Sequence, residues 1–342
     1  MEKRKVVKLL QKDKSNEAYS ILGETSGVLD WNSVPAQFYT FYKKLLANHW
    51  TADEVSMSHD IADWKLLSKE EKEAYKRIIG SLNVLDSIQT KYIMDVSRYI
   101  PNPAVNHVFS VIGKDETVHT ESYSYTFASL FSLKEQREVF ESAKTDPDMV
   151  KRYEKVFELY EEFHQNPTTE NFIMTLVANM ALEGIYFFSG FTFFYLLARQ
   201  GKMNGTAKMI SFIHRDETQH AYVIAHTLRS ILTEHPELNT PELTQSIRDF
   251  IYEATELEKE WIVKSVEAVK EANPNDFKKF CEYNANVRAS TLGLEKIYPE
   301  TGDNPVPWLK AFGDPTEAFT DFFEQKVSSY QRTSKDNGFD DL

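Results

Sequence analysis

Two stretches decide the fold: Gly113-Lys-Asp-Glu-Thr-Val-His-Thr-Glu-Ser-Tyr123 and His214-Arg-Asp-Glu-Thr-Gln-His220. Each carries D-E-T-x-H, once as Asp115–His119 and once as Asp216–His220. On an α-helix, residues three apart share a face, so the Glu and the His of each copy can reach one ion. A single Glu-x-x-His would be weak, since nine histidines and a Glu frequency of about one in ten produce about one match by accident. Glu161–His164, set among like charges in FELYEEFHQNP, is read as that accident on a solvated face. The repeated five-residue pattern is improbable as coincidence.

Working outward, each copy follows a lone carboxylate on the preceding helix: Asp86 lies 30 residues before Glu116, and Glu183 lies 34 before Glu217. Asp86 is 15 residues before Pro101 and Glu116 is 13 after Pro103. At ~1.5 Å per residue both sit ~20 Å from the turn of an antiparallel hairpin, at the same level. Glu183 is 18 residues before Gly201 and Glu217 is 12 after Gly205, a mismatch of ~9 Å for ideal helices. A π-bulge near Glu183, or an earlier end to its helix, would remove it.

Glu183 is also the one ionisable residue between Ile173 and Ala198, a segment whose length and hydrophobicity match a membrane span. It has no companion span and no distinctive basic flank, so it is read as a central core helix, apolar on all sides. A carboxylate there is very costly unless paired or metal-bound. Four carboxylates (Asp86, Glu116, Glu183, Glu217) and two histidines (His119, His220) thus converge from four helices, the ligand set of ferritin-like di-iron or di-manganese bundles. Oxygen ligands with imidazole suit iron or manganese.

The rest of the chain agrees with an all-α fold, because apolar residues recur at helical spacing and two-residue alternation is scarce. The reading divides it into an N-terminal arm (1–35), a ferritin-like helical di-metal domain (36–320) and a flexible C-terminal tail (321–342). A Ser68–Glu71 capping box starts a long helix to about Arg98. Further helices are expected from Ala104, near 148–164, over 169–199, through 214–232 and over 241–271, after which the chain shortens into Pro-containing turns.

Composition narrows the chemistry. The chain has 342 residues and a net charge of −13, which opposes binding to nucleic acid or anionic membranes. One cysteine, Cys281, allows no disulfide, dithiol cycling, Cys-ligated zinc ribbon or iron–sulfur cluster. No GxGxxG or GxxxxGK[ST] loop is present. With no apolar stretch behind the basic start MEKRKVVKLLQKDK, a cytoplasmic location is expected. A di-metal bundle of this kind can store metal, oxidise a bound ligand or generate a radical. Tyr123, four residues after His119 and seven after Glu116, falls on the metal-facing side. Phe187, Phe191 and Ile213 lie four or eight residues from Glu183 or Glu217, which fits a wall of the site and also ordinary core packing.

Over residues 30 to 342 these motifs resemble the small, radical-generating subunit of class I ribonucleotide reductase. The elements are Val84-Leu-Asp86-Ser-Ile-Gln89, the E-x-x-H-x-x-x-Y of Glu116, His119 and Tyr123, Ala181-Leu-Glu183, and Arg215-Asp-Glu217-x-x-His220. The resemblance implies that Asp86, Glu116, His119, Glu183, Glu217 and His220 bind two iron or two manganese ions and that Tyr123 carries a stable radical. It further implies that Phe187, Phe191 and Ile213 form the radical's apolar pocket. Trp50 and Asp216 are then a relay to His119, and Tyr330, in Val327-Ser-Ser-Tyr330, is the tail relay to a large catalytic subunit that reduces ribonucleotides. A homodimer is implied as well. The length is similar to compact bacterial subunits that use manganese with a flavodoxin-like activator.

Overall fold

Ser68 Oγ accepts from the Glu71 amide at 3.1 Å, and the Glu71 carboxylate accepts from the Ser68 amide at 2.7 Å. This reciprocal cap starts α3 (Lys69–Ser97) in the computed structural model, which describes residues 10–312. Ahead of it stand α1 (Ala36–Ala47) and α2 (Ser58–Leu66). Asn102, followed by Pro103 in the first turn, caps α4 (Pro103–Leu130). A second capping box, Ser132 with Glu135, starts α5 (Leu133–Thr145), and Asp146 with Pro147 starts α6 (Pro147–Gln165). Then come α7 (Thr169–Ala181), a π-helical turn (Leu182–Tyr186), α8 (Phe188–Arg199), α9 (Asn204–Glu234), α10 (Pro241–Val266) and α11 (Pro274–Thr291). No strand occurs among the described residues.

Helix α11 corrects the expectation of Pro-containing turns beyond about residue 271. Pro274 occupies the first turn, where a missing N–H costs nothing, and Asn273 caps it by accepting from Asn275 N at 3.1 Å. The proline starts a helix here and does not stop one.

Helices α3 and α4 pack along each other as an antiparallel hairpin, α9 packs on α7 and α8, and α10 with α11 cover the outside of the π turn. The stretch Thr169–Arg199 is apolar and long enough to cross a membrane by length and composition, but 94% of its most apolar window is buried inside the protein. It is the central core helix. The chain ahead of α1 is irregular yet docked: Ala18 and Ile21 are buried, and Ile21 N and Ser20 Oγ both donate to the Glu234 carboxylate at the end of α9.

Between α8 and α9 the chain reverses at Gly201, whose φ of 77° is the left-handed C-terminal stop that glycine favours. The new helix is capped from α2. Asp60, fully buried, accepts from Gly205 N at 2.8 Å and from Thr206 N at 2.6 Å. This compact turn lets α8 run to Arg199 and α9 begin at Asn204, so Glu183 and Glu217 lie 16 and 13 residues from the helix ends. The expected mismatch falls to ~4.5 Å, and the π turn at Leu182–Tyr186 lies where the spacing asked for a distortion.

Candidate metal centre

Six side chains from α3, α4, the π turn and α9 converge in the core. Asp86, Glu116, His119 and Glu217 offer ligand atoms that all lie within 4.8 Å of one another, and so do Glu116, Glu183, Glu217 and His220. Glu116 and Glu217 belong to both groups. If each group held one ion, Glu116 and Glu217 would offer donors to both. All six residues are fully buried.

The electrostatics decide what such a cluster can hold. His119 Nδ1 lies 2.9 Å from Glu217 Oε1 and 3.4 Å from Glu116 Oε2, and His220 Nδ1 lies 3.1 Å from Glu116 Oε1 and 3.4 Å from Glu217 Oε2. Yet both Nδ1 atoms and both carboxylate oxygens of Asp86, Glu116 and Glu217 lack hydrogen-bond geometry to any partner. Atoms so close without being paired are aimed at common centres between them. Four carboxylates match the charge of two divalent cations, and the donors fit iron or manganese.

The protonation tendencies agree. Burial, reinforced by the charges of Glu116 and Glu217, pushes Asp86 and Glu183 well above the usual carboxylate range. Glu217 goes the other way: burial opposes its charge, but contacts with Glu183 and His119 hold its carboxyl low. Burial alone would depress both histidines. Instead the charge of Glu217 and contact with Asp216 raise His119, and contacts with Asp115 and Glu116 raise His220. Without cations, the cluster recruits protons to neutralise itself.

Tyr123 is buried beside Asp86, and burial together with the charges of Asp86 and Glu217 lifts its phenol well above 10. Phe187, Phe191 and Ile213 are fully buried, and the first two stack with centroids 5.8 Å apart. Trp50, 3% exposed, donates its indole N–H to Asp216 Oδ2 at 2.7 Å, and the same oxygen lies 3.5 Å from His119 Nε2. Tyr330 lies outside the described residues. Glu161–His164 is a surface pair, with His164 Nδ1 against its own helix at Tyr160 O.

Several participants escaped the sequence reading. Gln89 donates its amide to Glu183; its position three residues after Asp86, on the same face of α3, was the available signal. Arg152 and Glu258 form a fully buried ion pair at 2.6 Å, with Arg152 also donating to Tyr186 O of the π turn at 3.3 Å. No local motif marks that pair.

Comparison with known proteins places this geometry. The family described as "Ribonucleotide reductase, small chain" matches residues 30–305. The chain is 41% identical over 345 residues to a ribonucleoside-diphosphate reductase subunit beta of Halalkalibacterium halodurans, covering all of both chains. Among solved structures it is similar to the ribonucleotide reductase R2 subunit from Clostridium botulinum, at 30% identity and TM-score 0.86 over 89% of this chain and 97% of that one. It is also similar to Streptococcus sanguinis dimanganese(II)-NrdF, at 27% identity and TM-score 0.75 over 83% of this chain and 98% of that one. A ferritin-like all-α fold, a buried pair of overlapping carboxylate–histidine groups and these matches over most of the chain lead to one conclusion: the chain belongs to the ribonucleotide reductase small-chain family.

Proposed function

We propose that Asp86, Glu116, His119, Glu183, Glu217 and His220 hold two iron or two manganese ions, and that Tyr123 carries the radical used by a large catalytic subunit to reduce ribonucleoside diphosphates. The observation that carries the reading is the pair of donor groups sharing Glu116 and Glu217 with a buried tyrosine beside Asp86. Similarity to the dimanganese(II) protein of Streptococcus sanguinis supports manganese. When bound, the ions would supply the activation of an oxygen species, dioxygen or a reduced form of it, which is the oxidant that takes one electron from Tyr123.

The chain's residues govern the rest. Tyr123 gives up an electron and its hydroxyl proton, becoming a neutral radical. Asp86, buried beside the phenol, is placed to take that proton. Phe187, Phe191 and Ile213 exclude water and reductants from the surroundings. The oxidising equivalent leaves through His119, Asp216 and Trp50, whose contacts form one continuous path, and then through Tyr330 to the large subunit. This reading includes a cytoplasmic homodimer that docks through its C-terminal tail, with a flavodoxin-like activator for a manganese form.

The test is electron paramagnetic resonance with metal analysis on protein loaded anaerobically and then oxidised. Two metals per chain and a tyrosyl signal that vanishes in Tyr123→Phe, with metal content unchanged, are expected. A signal that survives in Tyr123→Phe places the radical on another tyrosine, and absence of bound metal in the native chain overturns the reading.

A further inference from the structure

Beyond the repeated D-E-T-x-H, the two copies share a basic residue just before it: Lys114-Asp115 in one and Arg215-Asp216 in the other. The structure uses this extension symmetrically. Asp216 Oδ1 accepts from Arg215 at 3.0 Å, while its Oδ2 reaches across to His119 of the other copy at 3.5 Å. Asp115 Oδ1 pairs with Lys114 Nζ at 2.5 Å, while its Oδ2 lies 3.5 Å from Nε2 of His220. Each aspartate thus backs the histidine of the opposite helix, and each histidine turns Nδ1 toward the carboxylate cluster.

Both outer pairs are gathered by the three residues after α1. Asn48 O accepts from Arg215 Nη2 at 2.5 Å, His49 Nδ1 lies 3.1 Å from Lys114 Nζ, and Trp50 holds Asp216. The symmetry breaks at two points. Asp216 Oδ2 receives an aromatic N–H and has hydrogen-bond geometry to His119 Nε2. Among the described residues no aromatic N–H is bonded to Asp115, which is 4% exposed, and His220 Nε2 lies within ion-pair range of it but without hydrogen-bond geometry.

We propose that Asp115, anchored by Lys114, is a positioning residue for His220: it holds the proton on Nε2 and directs Nδ1 at the second ion, without serving the relay that Asp216 serves through Trp50. A carboxylate behind a ligating histidine fixes its tautomer and ring orientation, and losing one costs about 10- to 100-fold in metal affinity. The inference rests on the metal-centre reading above.

The experiment is a Mn(II) titration of the metal-free full chain, read by the resonance of the free aqua ion, with circular dichroism on each variant. The native chain is expected to bind two ions; a native chain that binds fewer overturns the metal-centre reading and this inference with it. Asp115→Ala is expected to weaken one ion by about 10- to 100-fold and leave the other at native affinity. In a Glu183→Ala background, which removes a donor from the second group only, it should not change the remaining ion. Lys114→Met, which keeps the carboxylate but removes its anchor, should weaken the same ion by a smaller factor, and it carries the test if Asp115→Ala does not fold. Native affinity for both ions in Asp115→Ala, or equal loss of both in a folded variant, overturns the inference.

Discussion

Glu183 sits in a turn made otherwise of Leu182, Gly184, Ile185 and Tyr186, and all five residues are fully buried. Its carboxyl is held well above the ordinary range by burial and by Glu217 and Glu116, so in the metal-free protein it is a destabilising charge that gains a proton. A raised acid contributes stability when protonated, and that contribution is lost as pH rises through its folded pKa. Glu183→Gln is therefore expected to keep or raise the melting temperature of the metal-free chain at neutral pH while reducing metal uptake from two ions toward one. Calorimetry of the metal-free form beside metal analysis checks this, and unchanged metal uptake would remove Glu183 from the donor set.

The π turn is the element on which the site's geometry depends. It packs against two arginines from outside. Arg152 bonds Tyr186 O, pairs with Glu258 and stacks on Trp261 at 3.8 Å, while Arg288 lies against Gly184. A Cβ at Gly184 would stand 2.5 Å from Arg288 Cδ, and Arg288 is 3% exposed, so it has little room to retreat. Gly184→Ala is expected to destabilise the fold by about 1–3 kcal/mol, as overpacking of a core does. It should also weaken metal binding at the group containing Glu183. Chemical denaturation and metal titration measure the two effects, and a neutral outcome in both would mean that the turn tolerates displacement of Arg288.

A second element-level expectation concerns α1. His226 on α9 faces Phe38 and Phe41 at ring centroid distances of 5.8 and 5.2 Å, and burial, with a smaller effect from Arg229, depresses it from 6.5 to about 4. The unfolded chain binds this proton more readily, so the stability it contributes is present above about 6.5 and lost as pH falls toward 4. At ~1.4 kcal/mol per pKa unit, discounted for residual exposure, the loss is about 2 kcal/mol. His226→Leu should flatten the pH dependence of stability in that window; an unchanged slope would assign it to other groups.

At the scale of the whole molecule, the six proposed metal ligands and Tyr123 all lie within residues 10–312, and the expected partner contact lies in the polar sequence from Val327 onward, outside the described residues. Deleting residues from Val327 is expected to leave metal content and the Tyr123 signal intact and to abolish turnover with the large subunit. Tyr330→Phe should preserve docking, measured by competition with a tail peptide, and stop turnover. Normal turnover in Tyr330→Phe would reject the relay while leaving the generator standing.

Much of the centre was legible because its residues obey local periodicities. Three-residue spacing joins Glu116 to His119 and Glu217 to His220, equal distances from the Pro101–Pro103 breaker set Asp86 level with Glu116, and a residual mismatch pointed to the distortion at Glu183. Turn chemistry also placed most helix starts, although Pro274 misled, since a proline opens a helix as readily as it closes one. What the linear chain could not show are partners that meet only after packing. Asp60 of α2 caps α9, Arg152 of α6 grips the π turn and Glu258 of α10, and Asp115 comes within 3.5 Å of the histidine of the other repeat. Sequence alone determined which groups share a helix face, because that follows from 3.6 residues per turn. The tertiary structure decided which faces meet, because buried polar groups find partners across helices whose mutual rotation is set by the packing of the whole core.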